Sequence, residues 1–506
     1  DHPDLHSFPT RRSSDLANYA MHYFGAPAVS ADYYGLFCEK LGAALGATNA
    51  APPFVGIMSQ GASGDQHWMN YGNPKRDRAI DAFAAELAGI AAEAVRRIEF
   101  RDSVPMAVRR AVLRIPTRQP DATRAEWARG LVAQMGDRLP KSQPEVYARE
   151  QLWLLENRER DVELQAMRVG DLGLTTCPCE VFAISGLKVK AQSPLAATMF
   201  IELANGEEGY IPPPDLHPLG GYNTWACRSA GLEPQAEPRI VDALLGMLED
   251  VAGRPRHPLQ DGLGASEREV LASRPVAFWR MNEWNGPAAA DAAGGGRNGV
   301  YEPGVAFRLD GPPGLAAAPH FAGGRMKAAV GELGAASTVE FRFWNGLPAT
   351  ARGVTGHLYA RGAGEGLSLG GTNGSPGRLV FRAGDVTLEG RTEIALRTWH
   401  HVAVVRDGRR VVVHLDGNPE PEIAGEASPE ASGDLVFAGR FDGADGLEGR
   451  LACAAVFNRA LPPDEIGRRM ARADRPFVGG RCLSIPGMSA VRSEEHTSEL
   501  QSRQSI

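Results

Sequence analysis

The sequence predicts an α/β N-terminal domain, a mixed sheet with flanking helices, followed by an all-β sandwich. Three observations predict it. Helical and strand-like apolar periodicities alternate over residues 17–250. A stretch rich in Pro, Gly and charge, residues 251–274, reads as a linker. Beyond it, over 275–476, short β-branched runs are separated by Gly, Asn and Asp turns. The 506-residue length suits two domains.

The elements follow in order. "PPFVGIMSQ" (52–60) is a buried strand entering a loop, and "RDRAIDAFAAELAGIAAEAVRRI" (76–98) is an Ala-rich amphipathic helix. "VPMAVRRAVLRIP" (104–116) alternates as a strand, and "RAEWARGLVAQM" (124–135) and "PEVYAREQLWLLENRER" (144–160) are helical. "DVELQAMRVGDLGLTTCP" (161–178) gives two short strands about a Gly-Asp turn. A helix over "EVFAISGLKVKAQSP" and a strand over "ATMFIELANG" complete the α/β half. In the second half, Asp407-Gly408 between two β-branched runs is a hairpin signal, and only "PPDEIGRRMA" near the end is helical.

Composition is globular, at 43% hydrophobic and 23% charged. A net charge of −7 without a dense Lys/Arg block argues against nucleic acid as a partner. No apolar run approaches the ~18 residues of a membrane span. Six cysteines are too few for a disulfide framework, and Cys177-Pro-Cys179 has no second pair at zinc-ribbon spacing, so the pair is expected to serve packing or form an incidental disulfide. "FPTRRSSDL" (8–16) and "RSEEHTSELQS" (492–502) look like translated sequencing-adapter DNA. Roughly 1–16 and 492–506, the latter within a 477–506 tail, are therefore expected to be non-native. The natural chain would then begin upstream, and any signal peptide would lie there.

"VGIMSQGASGDQHWMNYG" (55–72) ends an apolar strand on a glycine-loosened loop carrying Ser59, Ser63, Asp65 and His67. Three other stretches share its polar character: "YAMHYFG" with "VSAD" behind it, "CPCEVF", and "GEEGYIPPPDLHPLGGYNTWACRS". Taken in order, these resemble the neutral, alkaline-type non-lysosomal ceramidases, zinc amidases that cleave the N-acyl bond of ceramide. The resemblance spans about 17–245. It implies zinc ligands at His22, Glu180 and Tyr222, with Tyr210 competing for the tyrosine position. It implies a serine nucleophile at Ser63, with Ser59 as rival, and substrate contacts from Asp65, His67 and Tyr210. The family's remaining zinc-binding histidine lies in a His-Thr-His-type motif upstream, and only His2 and His6 precede His22 here. The Zn2+ site is thus expected to be incomplete and this chain inactive as it stands. The chemistry is coherent: an imidazole, a carboxylate and a phenol suit zinc, which polarises a carbonyl and acidifies water.

"TWHHVAVVRDGRRVVVHLDGN" and "FAGRFDGADGLEGRLACAAVFNRALPPDEI" resemble the concanavalin A-like, laminin G-like jelly roll over most of 275–476. Modules of that family appended to secreted enzymes often bind glycans or simply pack against the enzyme. His400 and His401 read as edge-strand packing residues, since no catalytic carboxylate pair stands out. The leading expectation is an extracellular or periplasmic zinc-dependent amidase, acting on a small amide or sphingolipid-like substrate and carrying a glycan- or surface-binding sandwich. The alternative is a non-catalytic glycan- or surface-binding protein whose enzyme-like half is degenerate.

Overall fold

The computed structural model describes residues 14–471 except 28, 51–52, 69–77, 99–100, 102, 260–261, 316, 363 and 431. The expected tails before 14 and beyond 471 lie outside the described residues. Two compact units are present: 14–214 with 220–258, and 215–219 with 259–471.

The first unit runs β1 (Ser14–Tyr19), α1 (Asp32–Ala44), β2 (Val55–Gln60), α2 (Ile80–Val95), β3 (Met106–Pro116), α3 (Ala122–Met135) and α4 (Gln143–Glu156). It continues with β4 (Glu159–Val169), β5 (Leu172–Thr176), β6 (Glu180–Val181), α5 (Ala183–Gln192), β7 (Ala197–Ile201), β8 (Tyr210–Ile211) and α6 (Ala236–Ala252). Residues 14–16, expected to be adapter-derived, form the first half of β1 and pair in register with Val55, Gly56 and Ile57 of β2.

The main sheet has the order β3-β4-β5-β7, antiparallel except for the parallel pair β5–β7. The α5 crossover explains that one parallel pair, because parallel neighbours need a long connection. Apolar residues of α6 (Ile240, Leu244, Leu248) pack on Val162, Leu164 and Ala166 of β4. A second core joins the parallel pair β1–β2 to α1 and α2 through Met21, Tyr33, Phe37 and Phe83. Local signals set the boundaries. Asp121 caps α3 by accepting from Arg124 N at 2.7 Å, Pro144 opens the first turn of α4, and Gly253 ends α6 at φ +67°.

The second unit is an antiparallel β-sandwich. One sheet holds, in spatial order, Ala288–Ala289, Gly299–Tyr301, Met326–Ala329, Asp434–Phe437, Val354–Arg361, Glu365–Gly371, Gly374–Ala383 and Val386–Glu393. The other holds Val305–Leu309, Ala318–Ala322, Glu448–Phe457, Ala336–Asn345, Trp399–Asp407, Arg410–Leu415 and Ile423–Glu426, with Ala277–Trp279 also on Glu448–Phe457. Phe341 from the second sheet meets Tyr359 and Phe437 from the first, with ring centroids 6.0 and 5.8 Å apart.

Two expectations need correction here. The linker expected at 251–274 contains a helix, α7 (Ala265–Ala272), whose Val270 packs with Phe278, Ala403 and Ile466. Its apolar face is short, which hid it among Pro and Gly residues. His400 and His401 stand on an interior strand, between Ala336–Asn345 and Arg410–Leu415, and not on an edge. His400 Nδ1 lies 2.8 Å from Asp416, and His401 Nε2 lies 3.8 Å from Glu340, near the final helix α8 (Pro463–Ala471).

The sandwich interior holds a buried ionic centre. Glu365 accepts from Arg406 Nε at 2.5 Å and Tyr359 Oη at 2.7 Å, with Arg361 Nη1 at 3.9 Å. Removing the carboxylate would strand two guanidinium groups in the interior. Glu365→Ala should therefore lower stability by about 3–5 kcal/mol, measured as the shift in the chemical-denaturation curve of the full chain.

Candidate functional site

His22 lies just beyond the end of β1. The turn that follows it is held by the Asp32 carboxylate, which accepts from Phe24 N (2.7 Å), Gly25 N (3.0 Å) and Ala26 N (2.9 Å). Burial works against that charge, but the backbone donors hold the Asp32 carboxyl below its usual range. Asp32 itself adopts φ +48°, a left-handed conformation that Asp tolerates better than most residues. His22 N donates to Gln66 O at 3.2 Å, which ties this turn to the 61–68 loop.

Glu180 and Tyr210 are register partners in the short parallel pair β6–β8, and Glu180 N donates to Gly209 O at 2.9 Å. Partners in a parallel pair project to the same face. Gly64 lies against this strand: a Cβ there would stand 2.8 Å from Glu180 O, so only glycine lets the loop approach.

These closures bring four side chains together. His22 Nε2 is 3.5 Å from Glu180 Oε2 and 3.3 Å from Tyr210 Oη. Tyr210 Oη also hydrogen-bonds Glu180 and lies 3.2 Å from Tyr222 Oη, which is carried on the 3₁₀ turn Tyr222–Thr224. Tyr210 meets His22 and is the register partner of Glu180, and Tyr222 meets Tyr210, so the geometry favours Tyr210 of the two tyrosines. Spacing along the chain could not separate them. The β6–β8 register does.

Burial, and then His67, lower the His22 pKa and keep its imidazole neutral. Burial raises Glu180. Burial and hydrogen bonds to Tyr222 and Glu180 push the Tyr210 phenol far up. A zinc ion with N and O donors at ~2.0–2.1 Å in tetrahedral geometry separates those donors by about 3.3 Å. The separations from His22 to Glu180 and to Tyr210 are close to that spacing, and the donor types suit zinc. The residues therefore fit one face of a zinc site. Among the described residues no group of three or more His, Cys, Asp and Glu side chains could hold a metal ion, so a metal here would need the phenol as a donor.

The 61–68 loop is placed differently from expectation. Ser63 is fully buried: its hydroxyl donates to Glu202 and accepts from Gln60 Nε2 at 2.9 Å. In this conformation it is not placed to attack a substrate. Ser59 bonds Ala17 O (3.2 Å) and Asn18 Nδ2 (3.1 Å) and ties β2 to β1. Asp65 Oδ1 accepts from Ala183 N at 2.7 Å, at the start of α5. Half-buried His67 is near enough to affect the His22 charge. Cys177 and Cys179 are buried and free, and the neighbouring Cys177 thiol, then burial, raise the Cys179 pKa well above its ordinary value.

The sequence reading missed Glu202. It accepts from Ser63 N (3.1 Å), Val181 N (2.7 Å) and Gln60 Nε2 (2.9 Å), so it clamps the loop to β6. The available signal was a carboxylate set at the end of the apolar run "ATMFI".

Residues 335–467 match a laminin G model described as the concanavalin A-like lectin/glucanases superfamily. That stretch holds the sandwich strands from Ala336–Asn345 onward and the start of α8. Among solved structures, domain 4 of an extracellular arabinanase from Geobacillus stearothermophilus, in complex with arabinotriose, is 14% identical. The alignment covers 39% of this chain and 98% of that one, with a TM-score of 0.30. A Trypanosoma rangeli sialidase is 16% identical over 39% of this chain and 33% of its own, with a TM-score of 0.29. The binding domain of Paraclostridial Mosquitocidal Protein 1 is 13% identical over 40% and 52%, with a TM-score of 0.32. The match thus spans about a third of the sialidase chain and half of the toxin domain. No curated protein matches the chain. Nothing in these comparisons shows a ceramidase family in the N-terminal half. No helix among the described residues is long and apolar enough to cross a membrane.

Glu202 gives a pH test. Burial raises its pKa from 4.5 to about 7, so the folded state holds the proton more tightly than the unfolded chain. Its contribution to stability is therefore complete below 4.5 and is lost as pH rises through about 7. Wild type should lose about 2–3 kcal/mol more than Glu202→Gln over that window, measured by denaturation at a series of pH values.

Proposed function

We propose that the first unit is a zinc-dependent amide hydrolase resembling the neutral ceramidases, and that the β-sandwich is its glycan- or surface-binding module. One observation carries the hydrolase reading: residues 22, 180 and 210, far apart in sequence, present an imidazole, a carboxylate and a phenol at mutual contact distance. His22 Nε2, a Glu180 oxygen and Tyr210 Oη would hold the metal. When bound, zinc would supply carbonyl polarisation and a more acidic water. Tyr222 stands on the exposed side, in contact with Tyr210, where it can donate a hydrogen bond to a substrate oxygen. Asp32 and Glu202 act through others, by fixing the turn behind His22 and the strand carrying Glu180. A nucleophilic role for Ser63 requires the 61–68 loop to open.

The purified chain should bind zinc or cobalt weakly in a titration followed by metal absorbance and calorimetry. His22→Ala, Glu180→Gln and Tyr210→Phe should each cost about tenfold or more in affinity, and Tyr222→Phe less. Equal affinity in all four variants would sink the assignment. Once amide-cleaving activity is in hand, Ser63→Ala separates the nucleophiles: loss of turnover with metal content retained assigns the serine, and unchanged turnover retires it. The binding-module reading rests on the superfamily match at 335–467. It would gain if saccharide binding maps to the sandwich while no metal-dependent turnover is found.

A further inference from the structure

The first unit carries a second concave surface that the metal reading does not use. A cavity of about 510 Å³ opens between α3, the first turns of α4 and the 224–226 segment. That volume is within the usual range for small-molecule sites, ~300–1,000 Å³. Trp127 and Trp225 line it and are each 38% exposed, so both keep aromatic surface available for stacking. Tyr147 meets Trp225 edge to face, with centroids 5.5 Å apart. Arg124 lies over Trp127, its guanidinium carbon 4.7 Å from the ring centroid.

The wall is fixed from behind. Arg118 Nη1 donates to Thr224 O at 2.7 Å, and Gln151 Nε2 donates to Ala226 O at 2.6 Å. The 224–226 segment therefore presents Trp225 from an anchored backbone, which lowers the ordering cost of binding.

The lining is rich in donors and lacks anions. Arg124, Trp127, Gln143, Tyr147 and Trp225 carry a side-chain N–H or O–H, the Thr224 hydroxyl already donates to Gly221 O at 2.8 Å, and none of the lining residues is Asp or Glu. Arg124 rests on the Trp127 ring and is the cation of this lining. An aromatic cage for a cation would want a carboxylate, and an alkyl chain would leave these donors unsatisfied. The complementary ligand has a flat apolar face for the rings and many oxygen acceptors at its edge, with a carboxylate for Arg124.

We propose that this cleft binds an acidic saccharide, a pyranose ring bearing a carboxylate. The assignment is independent of the metal reading. The test is calorimetric titration of the full chain at low salt, without added metal, using trigalacturonic acid, a neutral trisaccharide and dodecanoate as probes. Trigalacturonic acid should bind saturably and more tightly than the neutral sugar. Trp127→Ala and Trp225→Ala should each weaken it about tenfold. Arg124→Gln should weaken it about five- to tenfold and erase the preference over the neutral sugar. Unchanged melting temperatures in the variants would show that the fold survives. The proposal is overturned if trigalacturonic acid gives no saturable heat at millimolar concentration. It is equally overturned if all three variants bind as wild type, which would place the sugar elsewhere on the chain, or if dodecanoate is the preferred probe.

Discussion

The candidate site depends on the two-residue pairing of β6 with β8. It sets Glu180 beside Tyr210 in register, and every other contact of the cluster is arranged around that pair. So short a ladder contributes few backbone hydrogen bonds and cannot hold itself. It is held from outside: Glu202 accepts from Val181 N, Gly64 N donates to Val181 O at 2.8 Å, and Glu208 N donates to Pro178 O at 2.7 Å. A loop, a strand end and a turn thus converge on one small ladder.

Carboxylates do much of this structural work. Asp32 organises the turn behind His22, Asp65 meets the start of α5, and Glu202 joins the 61–68 loop to β6. Each accepts backbone N–H groups that would otherwise be unsatisfied near helix starts or loop bends. Charge inside the unit is used to fix loops, and the donor cluster inherits its geometry from them. The sandwich uses a different device: Glu365 neutralises arginines between two apolar sheets, where the desolvation of each charge is offset only by its partners.

Much of the fold was legible in the sequence. The 3.6-residue pattern of α2 and α4, the alternation of β3, and the hairpin that Asp407-Gly408 signals are local, and local physics decides them, whereas α6 was not read from the sequence. The nearness of His22 to Glu180 was expected only through the order of motifs, because no local rule reports contacts between residues so far apart in the chain. Three features were not legible. Glu202 is one carboxylate after an apolar run, and nothing in composition marks it as buried. The choice between Tyr210 and Tyr222 rests on strand register, which a two-residue strand does not announce. The burial of Ser63 depends on Glu202 and Gln60, and so could not be read before they were.

The contacts that build the cluster join residue 22 to 66, 63 to 202 and 180 to 210. Such long loops close slowly, because chain entropy is lost before any contact repays it. During synthesis, the helices packed on β1 and β2 have their local partners early, whereas Glu202 and Tyr210 emerge late. The donor triangle therefore cannot form until Tyr210 has emerged, and a nascent chain halted before residue 210 cannot contain it.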